Sequence, residues 1–270
     1  MKLIFSDLDE TLLGANWHIP EMNLDAIRSA RAAGHKFIPC SGRPPLMMHE
    51  IQGELECEGK SGEYCVYLNG ALITENGSGH IIYSNTMDIE EVQMLAREAE
   101  KAGLCVMLFS RKDIYLFNPD PSEIERKRKQ GIPVLLRDGY DVSELAGEPI
   151  GKVMFVKNDG IDYLKAFAAD FSEEIREKYE ITFSSGRFLE INRAGVSKGA
   201  AIRALANHLG VPVSDTIAIG DSYNDIPMIR EAGIGCAVAN AYPEVKAAAD
   251  YVCRRTCGEG AVAEVIEKFV

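Results

Sequence analysis

The sequence predicts an α/β protein with a doubly wound parallel sheet, into which a separate α+β region is inserted. Three observations predict it. Short apolar strands alternate with helical patterns at both ends of the chain. The strands of these end segments stop at polar bursts, where sites lie in parallel sheets. The middle of the chain also alternates helices and strands, but no such burst ends its strands.

Taken in order, residues 2–6 form an apolar strand that stops at Asp7-Leu8-Asp9-Glu10-Thr11. A helical pattern over 21–33 is closed by Gly34, a residue suited to the left-handed helix end. Residues 36–40 form a second strand, ending in Ser41-Gly42-Arg43-Pro44, and Pro44 suits the first turn of another helix. Residues 64–68 form a third apolar strand, read as part of the same parallel sheet and ending at Asn69-Gly70. Asn76-Gly77 between two apolar stretches signals a hairpin. From about 84 to 186, helical patterns at 89–102 and 161–178 alternate with strands at 104–109, 113–117 and 152–157. The crossover rhythm then returns: helix 198–208, strand 216–219 ending in Gly220-Asp221-Ser222-Tyr223-Asn224-Asp225, a helix to 232, strand 234–238 and a last helix to 269. The expected division is therefore 1–83 with 187–270 as the sheet domain, and 84–186 as the insertion.

Composition sets the outer limits. The 270 residues carry 41 acidic and 29 basic side chains, a formal charge of −12, with 46% hydrophobic residues. That excludes a disordered or collagen-like chain. The acidic balance argues against a protein that wraps nucleic acid or coats anionic membranes. No apolar run approaches the roughly 20 residues of a membrane span. The first apolar run is too short for the core of a signal peptide, so the expected location is cytoplasmic. Seven irregularly spaced cysteines make a poor disulfide framework. Cys253 and Cys257 stand four apart, but no second Cys or His pair completes a four-ligand metal site. Five scattered histidines favour no metal cluster. Gly258 and Gly260 imitate a dinucleotide fingerprint, yet too little chain follows for a βαβ unit.

The polar bursts carry the chemistry. Asp7 and Asp9, two apart at a strand end, point the same way if the chain stays extended. Carboxylates so close repel each other and call for a cation. Asp221 and Asp225 end another strand. If both strands are central, the four acids converge into an oxygen-ligand site for a hard cation, with Mg²⁺ the usual choice beside phosphate. Taken alone, each pair also reads as a turn or a helix cap. Lys198 opens a helix, where a cation opposes the dipole, so it is expected to serve a nearby anion. Ser41 and Gly42 end a strand at a helix start, where a hydroxyl and free N–H groups bind phosphate oxygens or simply cap the helix. Arg126-Lys127-Arg128-Lys129 follows Glu123 and Glu125 on an expected helix. It reads first as a solvated face with local ion pairs, and second as help in attracting an anionic substrate.

These residues resemble the haloacid dehalogenase-like superfamily. Asp7-Leu8-Asp9-Glu10-Thr11 resembles its first motif, DxDxT; Ser41-Gly42-Arg43-Pro44 the second; Val196-Ser197-Lys198-Gly199 the third; Gly220 to Asp225 the fourth, GDxxND. The tail from Gly258 to Ala263 also resembles the family's end. An insertion between the second and third motifs resembles the type-two cap, subtype B, of the Cof-type branch. Glu10 departs from the pattern, since Cof-type members usually have Gly there.

The resemblance implies a Mg²⁺-dependent phosphatase acting on small phosphorylated metabolites, such as a sugar phosphate, a nucleotide or a phosphorylated cofactor, through an aspartyl-phosphate. It implies Asp7 as nucleophile and Asp9 as general acid and base. It implies Mg²⁺ held by the Asp7 side chain, the Asp9 carbonyl and Asp221, with Asp225 in support directly or through water. Leu8 and Gly42 by their N–H groups, with Ser41, Lys198 and Asn224, would hold phosphate oxygens. Arg43 is expected to brace the loops, and Asn69 to lie at the rim. Trp17 and His18 fall on an expected flap. A small-molecule phosphomonoester is the expected partner, with neither nucleic acid nor membrane. A phosphomutase of the phosphomannomutase type would keep both aspartates and is the alternative enzyme. A non-catalytic phosphometabolite sensor is the alternative from another class.

Overall fold

The computed structural model describes residues 1–270. The chain forms two compact units. One comprises Met1–Arg43, Met48–Ser84 and Ser197–Val270; the other comprises Pro44–Met47 and Asn85–Val196.

The first unit holds a parallel five-stranded sheet in the order Tyr251–Val252, Ile234–Ala237, Thr216–Gly220, Leu3–Ser6, Lys36–Pro39. Ile4 stands beside Ile217 on one side and Phe37 on the other. The two central strands are buried at every position, which is why they read as continuous apolar runs and not as alternating ones. Chain order diverges between Leu3–Ser6 and Thr216–Gly220, so the carboxyl ends of these two strands flank the topological switch point, where α/β sheets place their ligands.

Helices Lys198–Leu209 and Ile226–Glu231 pack on each other, and helix Glu21–Ala32 packs on Ala261–Phe269. Leu3, Phe5, Ala201, Leu205, Ala218 and Met228 share one buried cluster. Ile4, between Leu3 and Phe5, is also fully buried and points to the opposite face by strand alternation. Each fully buried side chain of this size contributes roughly 1.5–3 kcal/mol.

The third apolar stretch departs from expectation. Tyr64–Tyr67 does not join the parallel sheet as a full strand; it pairs antiparallel with Leu72–Glu75, which pairs with Ile81–Ser84. A single parallel bridge, Cys40 to Val66, links it to the end of Lys36–Pro39. The Asn76-Gly77 hairpin forms as read, and its short connection makes antiparallel pairing the accessible partner.

The second unit is built on a six-stranded sheet in the order Tyr179–Ser184, Phe188–Arg193, Ile150–Val156, Cys105–Ser110, Ile114–Phe117, Leu135–Arg137, antiparallel except for the last pair. Helices Ile89–Lys101, Ile161–Ala169 and Glu173–Lys178 bury Leu95, Leu164 and Ile175 in one cluster with Val106, Leu108, Val153, Phe155 and Leu189. The single helix read over 161–178 is two, because Ser172 caps a new start by accepting the Ile175 N–H.

The expected boundary at 186 is placed too early. Phe188–Arg193 pairs with Tyr179–Ser184 on one side and Ile150–Val156 on the other, so the chain stays in this sheet through Val196. The turn at Ser185-Gly186, both at positive φ, joins two strands of one sheet and is not a linker. No helix is long and apolar enough to cross a membrane. All seven cysteines are free.

Candidate active site

The first motif leaves its strand under tight backbone control. The Asp7 N–H continues the parallel ladder onto the Ile219 carbonyl at 2.9 Å. The N–H groups of Thr11, Leu12 and Leu13 then converge on the Leu8 carbonyl at 2.9–3.2 Å. Asp7 is thereby pinned at the strand end while the chain turns beneath it. Glu10 sits within this turn at φ 60°, the left-handed region that glycine occupies at least cost. Its carbonyl accepts from Asn240 Nδ2 at 2.8 Å, and Asn240 Oδ1 accepts the Cys257 N–H at 2.9 Å.

Lys198 is fully buried and ties three segments together. Its Nζ donates to Asp7 Oδ1 and, at 2.6 Å, to Asp225 Oδ1. The other Asp225 oxygen accepts the Asp221 and Ser222 N–H groups, each at 3.0 Å. Asp221 Oδ1 accepts the Thr11 hydroxyl at 2.7 Å. Two glycines make this closeness attainable. A Cβ on Gly220 would lie 2.4 Å from the Asp225 Cβ, and one on Gly70 (φ +101°) would lie 2.2 Å from the Ser197 carbonyl oxygen.

The second segment joins from the side. The Ser41 N–H donates to the Val66 carbonyl, and the Ser41 carbonyl accepts the Asn69 N–H, both at 3.0 Å. Asn69 Oδ1 accepts from Asn224 Nδ2 at 3.1 Å and lies so near Gly42 that a Cβ there would be 2.9 Å away. Arg43 grips Asp9 with both Nε, at 3.2 Å, and a terminal nitrogen.

The expected site residues therefore meet through direct contacts. Asp7, Lys198, Asp221 and Asp225 form one network. Asp9 is held by Arg43. Ser41, Gly42 and Asn224 gather around Asn69. Cys253 and Cys257 do not act as a pair: the Cys253 thiol faces the Ala261 carbonyl at 3.9 Å. The histidines stay apart from one another, and one of them, His18, meets Glu50 and Glu54 with ligand atoms within 4.8 Å. Glu54 is already satisfied there by His18 Nδ1 at 2.7 Å and the Ile19 N–H at 2.9 Å.

The electrostatics of the network are unbalanced. Potential ligand atoms of Asp7, Asp221 and Asp225 lie within 4.8 Å of one another, and all three residues are buried. Lys198 supplies one positive charge, so a formal excess of two negative charges remains. Burial holds the Asp7 carboxyl well above the usual range; Asp225 raises it further and Lys198 opposes. Asp221 is pushed up to about 6, first by burial, against the Thr11 hydrogen bond and with the help of Asp225. Burial alone would depress Lys198, but the Asp225 and Asp7 carboxylates outweigh it and hold the ammonium protonated. All-oxygen donors with a surplus of two negative charges fit a hard divalent cation.

Three participants escaped sequence reasoning. Thr11 was visible in the first motif, yet its bond to Asp221 spans 210 positions. Asn240 carried no signal. Tyr242 donates its N–H to the Asp221 carbonyl at 3.0 Å, and its ring stacks on Tyr223 with centroids 5.1 Å apart.

The profile of the haloacid dehalogenase-like hydrolases matches residues 4–266. The chain belongs to that family. Its relatives span its full length. It is 32% identical over 271 residues to YxeH of Bacillus subtilis, provisionally named a phosphatase, covering 100% of this chain and 98% of that one. It is 28% identical to the 5-amino-6-(5-phospho-D-ribitylamino)uracil phosphatase YcsE of the same organism, covering 100% and 96%. The solved structure of a haloacid dehalogenase-like hydrolase from Bacteroides thetaiotaomicron is 29% identical and superposes with a TM-score of 0.85, covering 100% and 99%. Within the family the chain is a phosphatase-type hydrolase.

Proposed function

We propose that the chain is a Mg²⁺-dependent phosphomonoester hydrolase for small phosphorylated metabolites, working through an aspartyl-phosphate on Asp7. The observation that carries this reading is Asp7 itself: a buried carboxylate at the switch point, oriented by a buried lysine and grouped with Asp221. Asp7, Asp221 and the Asp9 carbonyl would hold the cation. When bound, Mg²⁺ offsets the repulsion between an anionic carboxylate and a phosphate dianion.

The residues divide the remaining work. Asp7 attacks phosphorus in line; the P–O bond to the leaving group breaks, and Asp9 gives that oxygen its proton. Asp9, now ionised, takes a proton from the water that attacks the acyl-phosphate, releasing inorganic phosphate and restoring Asp7. Arg43 holds Asp9 in the absence of substrate and must yield it for the first step. Lys198, the Ser41 hydroxyl, the Leu8 and Gly42 N–H groups and the Asn224 amide hold the equatorial oxygens as charge shifts. Both Asp225 oxygens already accept hydrogen bonds, so Asp225 acts by fixing Lys198 and the Asp221 loop, supporting the metal from behind.

The ribitylaminouracil phosphatase among the relatives supports a small phosphorylated metabolite as the substrate class. A cytoplasmic location is part of the same proposal, and seven free cysteines suit it. The test is release of inorganic phosphate from a panel of phosphorylated sugars, nucleotides and cofactors, with Mg²⁺ and with chelator. Chelator-sensitive release supports the proposal. Phosphate moved within a sugar and never released would establish a mutase. Binding without turnover across the panel would establish a sensor.

A further inference from the structure

The second unit contains a group of cations that its carboxylates do not match. Glu123, in helix Pro121–Lys129, is fully buried. Arg126 Nε lies 3.3 Å, Lys127 Nζ 3.5 Å and Arg187 Nε 3.5 Å from its oxygens. These are ion pairs without hydrogen-bond alignment. Both Glu123 oxygens, and the Nε atoms of Arg126 and Arg187, are buried and have no hydrogen-bond partner. Buried polar groups are rarely left so.

A fourth cation stands nearby. Lys152 Nζ lies 3.2 Å from Glu190 Oε2, and Glu190 Oε1 also accepts the Ser184 hydroxyl. Lys152 and Glu190 project from the sheet face opposite Val153, Phe155 and Leu189, which meet the helices. Three of the cations lie over aromatic rings, two over Phe188 and one over Phe109. Arg187 Cζ lies 4.2 Å and Lys127 Nζ 5.8 Å from the Phe188 ring centroid, and Lys152 Nζ lies 4.7 Å from that of Phe109.

Four cations thus face two carboxylates, a formal excess of two positive charges. No neighbouring acid removes it. Asp120 is engaged with Ser122 and Asn158, and Glu125 with Arg128 and Lys129. Burial lowers the Lys127 ammonium; Glu123 opposes this, while Arg187 and Lys152 add repulsion. The Lys127, Lys152 and Arg187 side chains keep between 10% and 17% exposure, so they are enclosed without being sealed.

We propose that Lys127, Lys152 and Arg187 form an anion site that takes a carboxylate or phosphate group other than the phosphoryl group being hydrolysed. A guanidinium fork flanked by two ammonium groups suits either oxyanion, and the excess charge is what its arrival would neutralise. The anion is a free metabolite anion, taken up within the second unit.

The test begins with sulfate as probe, titrated into the full chain at low ionic strength and followed by backbone amide shifts. The expected result is saturable shifts in residues 120–129 and 184–193 that weaken at least tenfold in Lys152→Met and Arg187→Met. Sulfate at the Asp7 site would instead move residues 7–9 and 41–43. Arg126→Met, at a more exposed position, serves if the other variants fail to fold. Glu190→Gln, which removes a competing negative charge, should tighten sulfate severalfold. Shifts confined to the Asp7 site, or unchanged by these variants, would overturn the proposal. The shifts are read without turnover, so failure of this proposal is distinct from failure of the phosphatase reading.

Discussion

Replacing Lys198 by methionine tests the centre of the site, because this side chain is fully buried and bridges two carboxylates. Methionine preserves the length and most of the volume. It removes the only cation bonded to Asp7 and Asp225, leaving buried acids without their counter-charge. Removing one partner of a buried ion pair costs about 3–5 kcal/mol. The loss should fall near the low end at neutral pH, because the Asp7 carboxyl is already held high by burial and takes up a proton in place of the lysine. At roughly 2–4 °C per kcal/mol for a unit of this size, the melting temperature should drop by about 6–12 °C. The assay is a thermal melt in metal-free buffer at pH 7.5, repeated at pH 5.5, where proton uptake is easier and the drop should shrink. Loss of one phosphate-holding donor should also cut kcat by about 10²–10³. A melt within 2 °C of the parent at pH 7.5, or a drop that grows on acidification, would refute the counter-charge reasoning.

Three further outcomes follow from the same geometry. Asp7→Asn should lower turnover at least about a thousandfold while keeping the fold, and rapid-quench mass spectrometry should find no phosphorylated protein; a covalent adduct elsewhere would displace Asp7 as nucleophile. Asp221 keeps its proton to about 6 in the fold, against an ordinary carboxylate value of roughly 3.9. The native state therefore binds more protons than the unfolded chain in that window, and the metal-free protein loses this contribution as pH rises through it. Because Mg²⁺ competes with the proton, its stabilising effect should grow from pH 5 to 7 and then level off; an equal increment at pH 5 and 7.5 would contradict the assignment. Glu10→Gly should relieve a strain of about 1–2 kcal/mol, partly offset by roughly 0.4–1 kcal/mol of added freedom in the unfolded chain. The melting temperature should hold or rise slightly, and a fall of more than 5 °C would show that the Glu10 side chain itself is needed.

Much of the site was legible because its residues sit at strand ends, and a strand end is written locally. Asp7 after a buried strand of four residues and Asp221 after one of five announce themselves without knowledge of the partner strand. The boundary near 186 falls too early because the pairing of Glu190 with Thr182 and Met154 is a long-range choice that no local pattern announces. The third strand misled for a similar reason: an apolar run of four does not reveal whether its partner lies parallel or antiparallel. The run at 126–129 divided in two, Arg128 and Lys129 pairing on the surface as read and Lys127 turning inward to Glu123.

By itself the sequence determined the alternating core, the inserted second unit and the candidates for the chemical residues, because strand periodicity, helix caps and polar bursts are local properties of the chain. Only the tertiary structure decided that Lys198 bonds Asp7 across 191 positions, that Thr11 reaches Asp221, that Arg43 holds Asp9, and that Arg126, Lys127 and Arg187 close on Glu123. Those relations depend on which strands become neighbours and on how close two backbones approach. That choice is made by packing over the whole core, and no local stretch of sequence carries it.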